Sequence, residues 1–312
     1  MGPSGGAGDE GWRGGDRVRE KDRRMSDASP RLAPVLEADV DAVAAFLHRE
    51  LNSRVTVSSW AALLRPPWQA GTANRGFQLL EDDRVVGVYA AVYSEREIDG
   101  ERRRFCNLAA FCVLEGHRAH SIRLLRAILG ERCDVFTDLS PSGNVVAVNA
   151  RLGFATLEGP TVLTPNLPWP AKRGVAISAD PAALTATLRG ADATIHRDHR
   201  DAAAARHLLV TDGDDYAYLV FRRDRRKRLP IFATPLYVGG SPALLRSAWP
   251  AVASHLLLRH GIAATLAEER ILGFTPGFGR RLSSPRTKMF RSKTVPAAGI
   301  DYLYSELALL QW

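Results

Sequence analysis

Residues 105–154 constrain this chain more than any other stretch. They read as a buried strand (105–113), a tight polar turn (114–120) and a helix (121–129). A second strand (134–139), a Ser-Pro-Ser-Gly-Asn turn and a short helix running into Arg151, Leu152, Gly153 and Phe154 complete the unit. A strand that enters a helix through a turn leaves free backbone N–H groups at the helix start. Those groups suit an anion such as a pyrophosphate.

The surrounding pattern is regular. Residues 32–36 read as a short strand, and Asp39 is placed to cap a helix whose Val40, Val43, Ala44, Phe46 and Leu47 share one face. Residues 60–64 suggest a second helix ended by Pro66 and Pro67, and 77–80 with 85–93 form a hairpin turning at 81–84. Pro160, Pro165, Pro168 and Pro170 then mark a linker-like stretch. Beyond it, 181–188 and 202–209 look helical, and 216–222 with 229–238 look like paired strands. A long amphipathic helix (242–259), a strand near 262–266 and a final strand over 302–310 follow. The expected division is a disordered tail (1–29), a first domain (30–158), a linker (159–175) and a second domain (176–312). The tail is rich in Gly, Asp, Arg and Ser and cannot bury enough apolar surface to offset its ordering entropy. Met25 is a candidate for the natural start.

The order strand, helix, helix, three strands, helix, strand, helix resembles the acetyl-CoA-binding core of the GNAT superfamily of N-acyltransferases. The resemblance covers about 31–157 and implies an α/β fold, with a mixed, mostly antiparallel GNAT-type sheet flanked by helices. The looser repeat of the theme after the linker implies a second GNAT-like half. In that family the fourth strand splays from the fifth and pairs with the pantetheine arm, which points to Phe111, Cys112 and Val113. The turn that wraps the pyrophosphate falls on Arg118, Ala119, His120, Ser121, Ile122 and Arg123. There Ser121 stands in place of the first glycine and Arg123 in place of the last small residue. Ser142 and Asn144 fall near the family's asparagine, and Leu152, Gly153 and Phe154 match its closing motif. The position of the tyrosine acid found in many members holds Asn149, whose amide cannot protonate a thiolate as a phenol can.

The residues themselves offer Asp138, at the end of the fifth strand, as a base for the attacking amine, with Glu115 and Asn107 as further candidates. A turn-capping role for Asp138 beside Ser140 and Ser142 competes with that reading. Cys106, Cys112 and Cys133 have no CxxC spacing and read as small buried hydrophobes in a reducing cytoplasm. Cys106 and Cys112 share parity on one strand and should face the same way. His196 and His199 lack a third ligand at helical spacing and read as part of a surface loop, so no metal is expected. Gly239, Gly240 and Ser241 make a turn too short to wrap a pyrophosphate.

The net charge of +8 is partly local, in clusters at 222–228 and 280–293. No aromatic pattern interleaves these clusters, so they read as solvated hairpins and loops, not a nucleic-acid surface. No apolar run approaches membrane-spanning length, and no secretory h-region opens the chain. The expectation is a cytoplasmic acyltransferase moving an acetyl or other acyl group from acyl-CoA to an amine acceptor. Asn149 and the missing glycines motivate an alternative, a catalytically weak GNAT-like CoA-binding or regulatory protein.

Overall fold

The computed structural model describes residues 29–311, except 142, 171–172, 227–228 and 284. The expected tail up to residue 28 and the candidate Ser142 lie outside the described residues.

The first half runs β1 (Arg31–Pro34), α1 (Val40–Glu50), α2 (Val57–Leu64), β2 (Gly76–Glu81), β3 (Arg84–Ile98) and β4 (Glu101–Val113). It continues with α3 (Ser121–Leu129), β5 (Val135–Asp138), α4 (Val145–Arg151) and β6 (Ala155–Thr156). The remainder is β7 (Thr161–Pro165), β8 (Val175–Ser178), α5 (Pro181–Thr187), α6 (Gly190–His199), β9 (Arg206–Asp212), β10 (Asp215–Arg226), β11 (Leu229–Gly240) and α7 (Pro242–His260). After these come β12 (Ala264–Glu268), α8 (Glu269–Leu272), β13 (Arg280–Arg281), β14 (Met289–Ser292) and α9 (Glu306–Leu309). Local chemistry sets many boundaries. Thr56 caps α2 by accepting from the Ser59 N–H, and Asp180 and Ser241 do the same for α5 and α7, each followed by proline. The β3–β4 hairpin turns through Asp99 and Gly100, both at positive φ.

Two seven-stranded sheets result, with the orders β1-β2-β3-β4-β5-β14-β6 and β8-β9-β10-β11-β12-β7-β13. The two orders are equivalent position by position, but the first sheet takes its sixth-placed strand, β14, from the second half of the chain. β14 lies antiparallel between β5 and β6, pairing Met289 with both Asp138 and Thr156, while β7 lies antiparallel between β12 and β13. The stretch expected as a linker therefore contains a strand. Pro160 and Pro165 bracket the run Thr161-Val162-Leu163-Thr164, β-branched at all but Leu163, without interrupting it, so proline content alone misled. The central core draws on both halves, with Val88, Phe105 and Val135 packed in one cluster with Leu209, Tyr218, Leu236 and Leu307.

Further expectations fail for physical reasons. Residues 202–209 are not a helix: 206–212 form β9, because pairing with β10 overrides the helical propensity of the alanines. The helix lies one element earlier, in α6, whose buried residues Asp192, Ile195, His196 and His199 follow a helical face. Three of those four are polar, so hydrophobic periodicity could not reveal the face. His199 is fully buried, and its Nε2 accepts the Tyr304 N–H at 3.1 Å. Residues 302–310 are buried throughout but form no strand, since Tyr304 sits at φ 54° and Ser305 opens α9.

The parity argument for the cysteines also fails. Ala90 pairs with Ala110 but Ala91 pairs with Leu108, so Ala109 is the extra residue of a β-bulge. Cys106 faces one core cluster and Cys112 the other. Nor are the basic clusters wholly solvated. Arg222, 1% exposed, pairs with Asp224, and Lys288 pairs with Glu268 in the interior.

Candidate functional site

β4 and β5 pair in parallel at Phe105–Val135, Cys106–Phe136 and Asn107–Thr137, and no further. The bulge at Ala109 then turns β4 away, and the β5–α4 turn carries the chain to the other side. Between them opens a cleft of about 240 Å³. Leu108, Ala109, Ala110 and Phe111 form one wall, and Asp138, Ser140, Pro141 and Val145 the other. Tyr89 of β3, Asn52 and Trp60 of the α1–α2 region close it.

Asp138 is 4% exposed and lies at the apex of the splay. Its Oδ2 accepts the Asn149 amide at 2.8 Å, and the Ser140 backbone N–H also donates to it. Burial pushes its carboxyl up to about 6 against the opposing pull of those hydrogen bonds. Asn149 is fully buried and lines no part of the cleft; it holds the Asp138 carboxylate in place.

A second carboxyl, which the sequence did not suggest, lies beneath the first. Glu306 is fully buried, and its Oε1 accepts the Ser140 hydroxyl at 2.6 Å. Its backbone N–H reaches Asn107 Oδ1 at 3.3 Å, and its Oε2 has no hydrogen-bond partner among the described residues. Burial, reinforced by the nearby Asp138 charge, pushes Glu306 up to about 7. Nothing local marked it, because its partner Ser140 is 166 positions away.

Of the expected pantetheine residues, Phe111 lines the cleft, while Cys112 and Val113 continue β4 beyond it, half-buried. The expected pyrophosphate turn is tighter than an open wrap. Glu115–His120 is a 3-10 helix that runs straight into α3. The His117 N–H bonds Leu114 O and the Ser121 N–H bonds Arg118 O, so those amides are committed. By helix geometry the first amides, of Glu115 and Gly116, stay open. Arg118 is exposed, 3.8 Å from Glu115, and Ala119 and His120 lie on the same turn. Ser121 and Ile122 begin α3. Arg123 does not face outward for an anion: its Nη1 donates to Ser29 Oγ and Pro30 O, each at 2.9 Å, and ties down the segment that enters β1. Asn144 stands exposed at the start of α4, with no side-chain capping bond.

The second half repeats the splay and keeps a hollow of about 330 Å³, lined in part by Tyr237, Val238, Arg270 and Asp301. β11 and β12 pair at Phe232–Ala264 and Ala233–Thr265, and a register shift at Leu236 corresponds to the bulge at Ala109. There the chain itself bonds to the splayed strand. The Tyr302 N–H donates to Leu236 O at 3.1 Å, and Arg270 donates to the carbonyls of Ala297 and Ile300. Over the adjoining stretch of β11, Asp192 accepts the hydroxyls of Tyr216 and Tyr237. A Cβ on Gly239 would come within 1.8 Å of Asp192 Oδ1, so glycine is what admits that carboxylate.

No family model matches the chain, and no curated protein matches its sequence. Its fold is similar to solved structures of GCN5-related N-acetyltransferases. One, from Anabaena variabilis, is 13% identical with a TM-score of 0.54, over 84% of this chain and 72% of that one. Another, from Kribbella flavida, is 16% identical with a TM-score of 0.54, over 84% and 71%. A probable N-acyltransferase from Enterococcus faecalis is 10% identical with a TM-score of 0.54, over 85% and 73%. At these identities the likeness is one of fold. The chain has the GNAT fold, built as two GNAT-like halves.

Proposed function

We propose that this protein is an acyl-CoA-dependent N-acyltransferase whose reaction takes place in the cleft between β4 and β5 of the first half. The observation that carries the reading is the contrast between two equivalent splays. In one, β4 stays without a partner beside a buried carboxyl, and in the other Tyr302 and Asp192 bond to the corresponding stretch of β11. Past Asn107, β4 has no ladder partner on its β5 side, so its peptide groups along Ala109–Phe111 can pair with a pantetheine arm. The bulge at Ala109 breaks the ladder beside Asp138 and frees backbone groups that can polarise a thioester carbonyl.

Asp138 takes the proton of the attacking amine. A carboxyl poised near 6 is ionised at neutral pH, yet basic enough to accept a proton in the transition state. Asn149 positions it. Phosphate contact falls to Arg118 and the open amides of Glu115 and Gly116, with Arg123 excluded by its ties to Ser29 and Pro30. A cleft of about 240 Å³ accommodates an acetyl thioester beside an amine, and acetyl-CoA is the donor of this reading.

The test is acetyl transfer to a panel of primary amines, followed as free thiol, beside calorimetric CoA binding. Asp138→Asn should lower turnover at least ~100-fold with CoA affinity little changed. A folded Asp138→Asn protein with near-normal turnover would remove Asp138 from the mechanism. A second reading, a CoA-binding protein without turnover, is favoured by the committed amides of the 3-10 turn and by Ser121 and Arg123. CoA binding without transfer to any amine would select it.

A further inference from the structure

We infer that Ser140 and Glu306 form a proton relay that returns a proton to the departing thiolate of CoA, the role Asn149 cannot fill. The inference rests on the acyltransferase reading above. Ser140 is the hydroxyl of the β5–α4 wall that both lines the cleft and touches a second carboxyl. Behind it, Glu306 is sealed from solvent, with one oxygen on Ser140 Oγ at 2.6 Å and the other unpartnered among the described residues. A fully buried carboxylate left half-satisfied is expensive, and protonation removes that cost.

The two protonation states aim the serine hydroxyl differently. When Glu306 is ionised, Ser140 donates inward to it. When Glu306 is protonated, its O–H donates to Ser140 Oγ, and the serine hydrogen is released toward the cleft. The groups facing Glu306 set this balance. Asp138 on β5 and Tyr89 on β3 lie on the cleft side, Asn107 on β4 accepts its backbone N–H, and Arg222 on β10 exerts an opposing positive charge. Arg222 also donates to the Leu307 carbonyl and pairs with Asp224.

The step balances. The amine nitrogen forms the C–N bond, the C–S bond breaks, and the ammonium proton passes to Asp138. The thiolate takes the Ser140 proton as Glu306 gives its own to Ser140 Oγ. Before the next cycle the proton on Asp138 returns to Glu306, leaving amide and free thiol as the net products. Ser140 is thus a catalytic residue, and Glu306 acts through it as a positioning residue.

The experiment measures kcat for acetyl-CoA and a reactive amine from pH 5.5 to 9 in the full chain, with thiol release as readout. The wild type should lose turnover on the alkaline side as Glu306 ionises. Ser140→Ala and Glu306→Gln should each lower kcat ~10- to 100-fold at unchanged CoA affinity and abolish that alkaline limb. Ser140→Thr, which keeps a hydroxyl, should restore much of both. Infrared difference spectra should show a protonated carboxyl at neutral pH that disappears in Glu306→Gln, a readout that needs no turnover. Persistence of the alkaline limb in Glu306→Gln, or its loss in Tyr89→Phe instead of Ser140→Ala, overturns the relay and leaves the acyltransferase standing. Absence of transfer in a wild type that shows the infrared band overturns the acyltransferase and the relay with it.

Discussion

Glu306 and Asp138 are two carboxyls set beside one another with no salt bridge to either among the described residues, and the consequence for stability is readable without any substrate. In an unfolded chain a glutamate titrates near 4.5, whereas burial pushes Glu306 up to about 7 in the native state. Its ionisation is therefore resisted by the fold. The penalty is absent below about pH 4.5, grows as pH rises and is complete above about pH 7. Glu306→Gln removes it, so the variant should gain stability over the wild type between pH 5 and pH 8, by up to ~3 kcal/mol. Chemical denaturation at both pH values measures this, and a gap that does not change with pH would mean that Glu306 does not titrate in that range. At this scale the sequence reveals half of the site. Asp138 was legible because it ends a strand in a unit with recognisable spacing. Glu306 was not, because it sits in a run that reads as a plain apolar strand and meets Ser140 through the tertiary fold alone.

Among the elements, spacing located the strands and helices of the first half closely, α3 to the residue, yet it missed what shapes the cleft. A β-bulge leaves no periodic trace, and the shift at Ala109 reverses the facing of every residue after it on β4. Gly76 is tied to the same distortion. It pairs with Ala90 at φ 110°, and a Cβ there would lie 2.1 Å from the Tyr89 carbonyl oxygen. A backbone atom cannot swing aside as a side-chain tip can. Gly76→Ala should therefore cost at least ~3 kcal/mol, from the strained φ together with overpacking. Because Tyr89 lines the cleft, the same substitution should weaken CoA binding in protein that remains folded. Thermal melts and calorimetry on the variant decide both points, and a melting temperature within a degree of wild type would mean that the sheet relaxes freely around the added methyl. In the second half the reading went further astray, since α6 turns polar residues inward and β7 lies between prolines.

For the whole molecule, the placement of β14 in the first sheet decides how the chain can fold. Without β14 the first sheet loses the strand that joins β5 to β6, and β5 carries Asp138. Without β7 the second sheet loses the link between β12 and β13. The first half is thus completed by backbone hydrogen bonds that the second supplies, and the shared core and the part-buried Arg96–Asp301 ion pair add to the dependence. Unpaired strands at an open sheet edge favour association with other chains over folding. A fragment of residues 29–158 should accordingly show no cooperative thermal transition on its own and should aggregate. Co-expression with a fragment of residues 159–312 should restore a folded complex, because β14 can still take its place between β5 and β6. The intact chain should unfold in one calorimetric transition, with calorimetric and van't Hoff enthalpies in agreement. A sharp, reversible transition in the isolated 29–158 fragment would show that β14 is dispensable. The open cleft with its Asp138 would then belong to one half alone and not, as the strand order implies, to a sheet that the second half must complete.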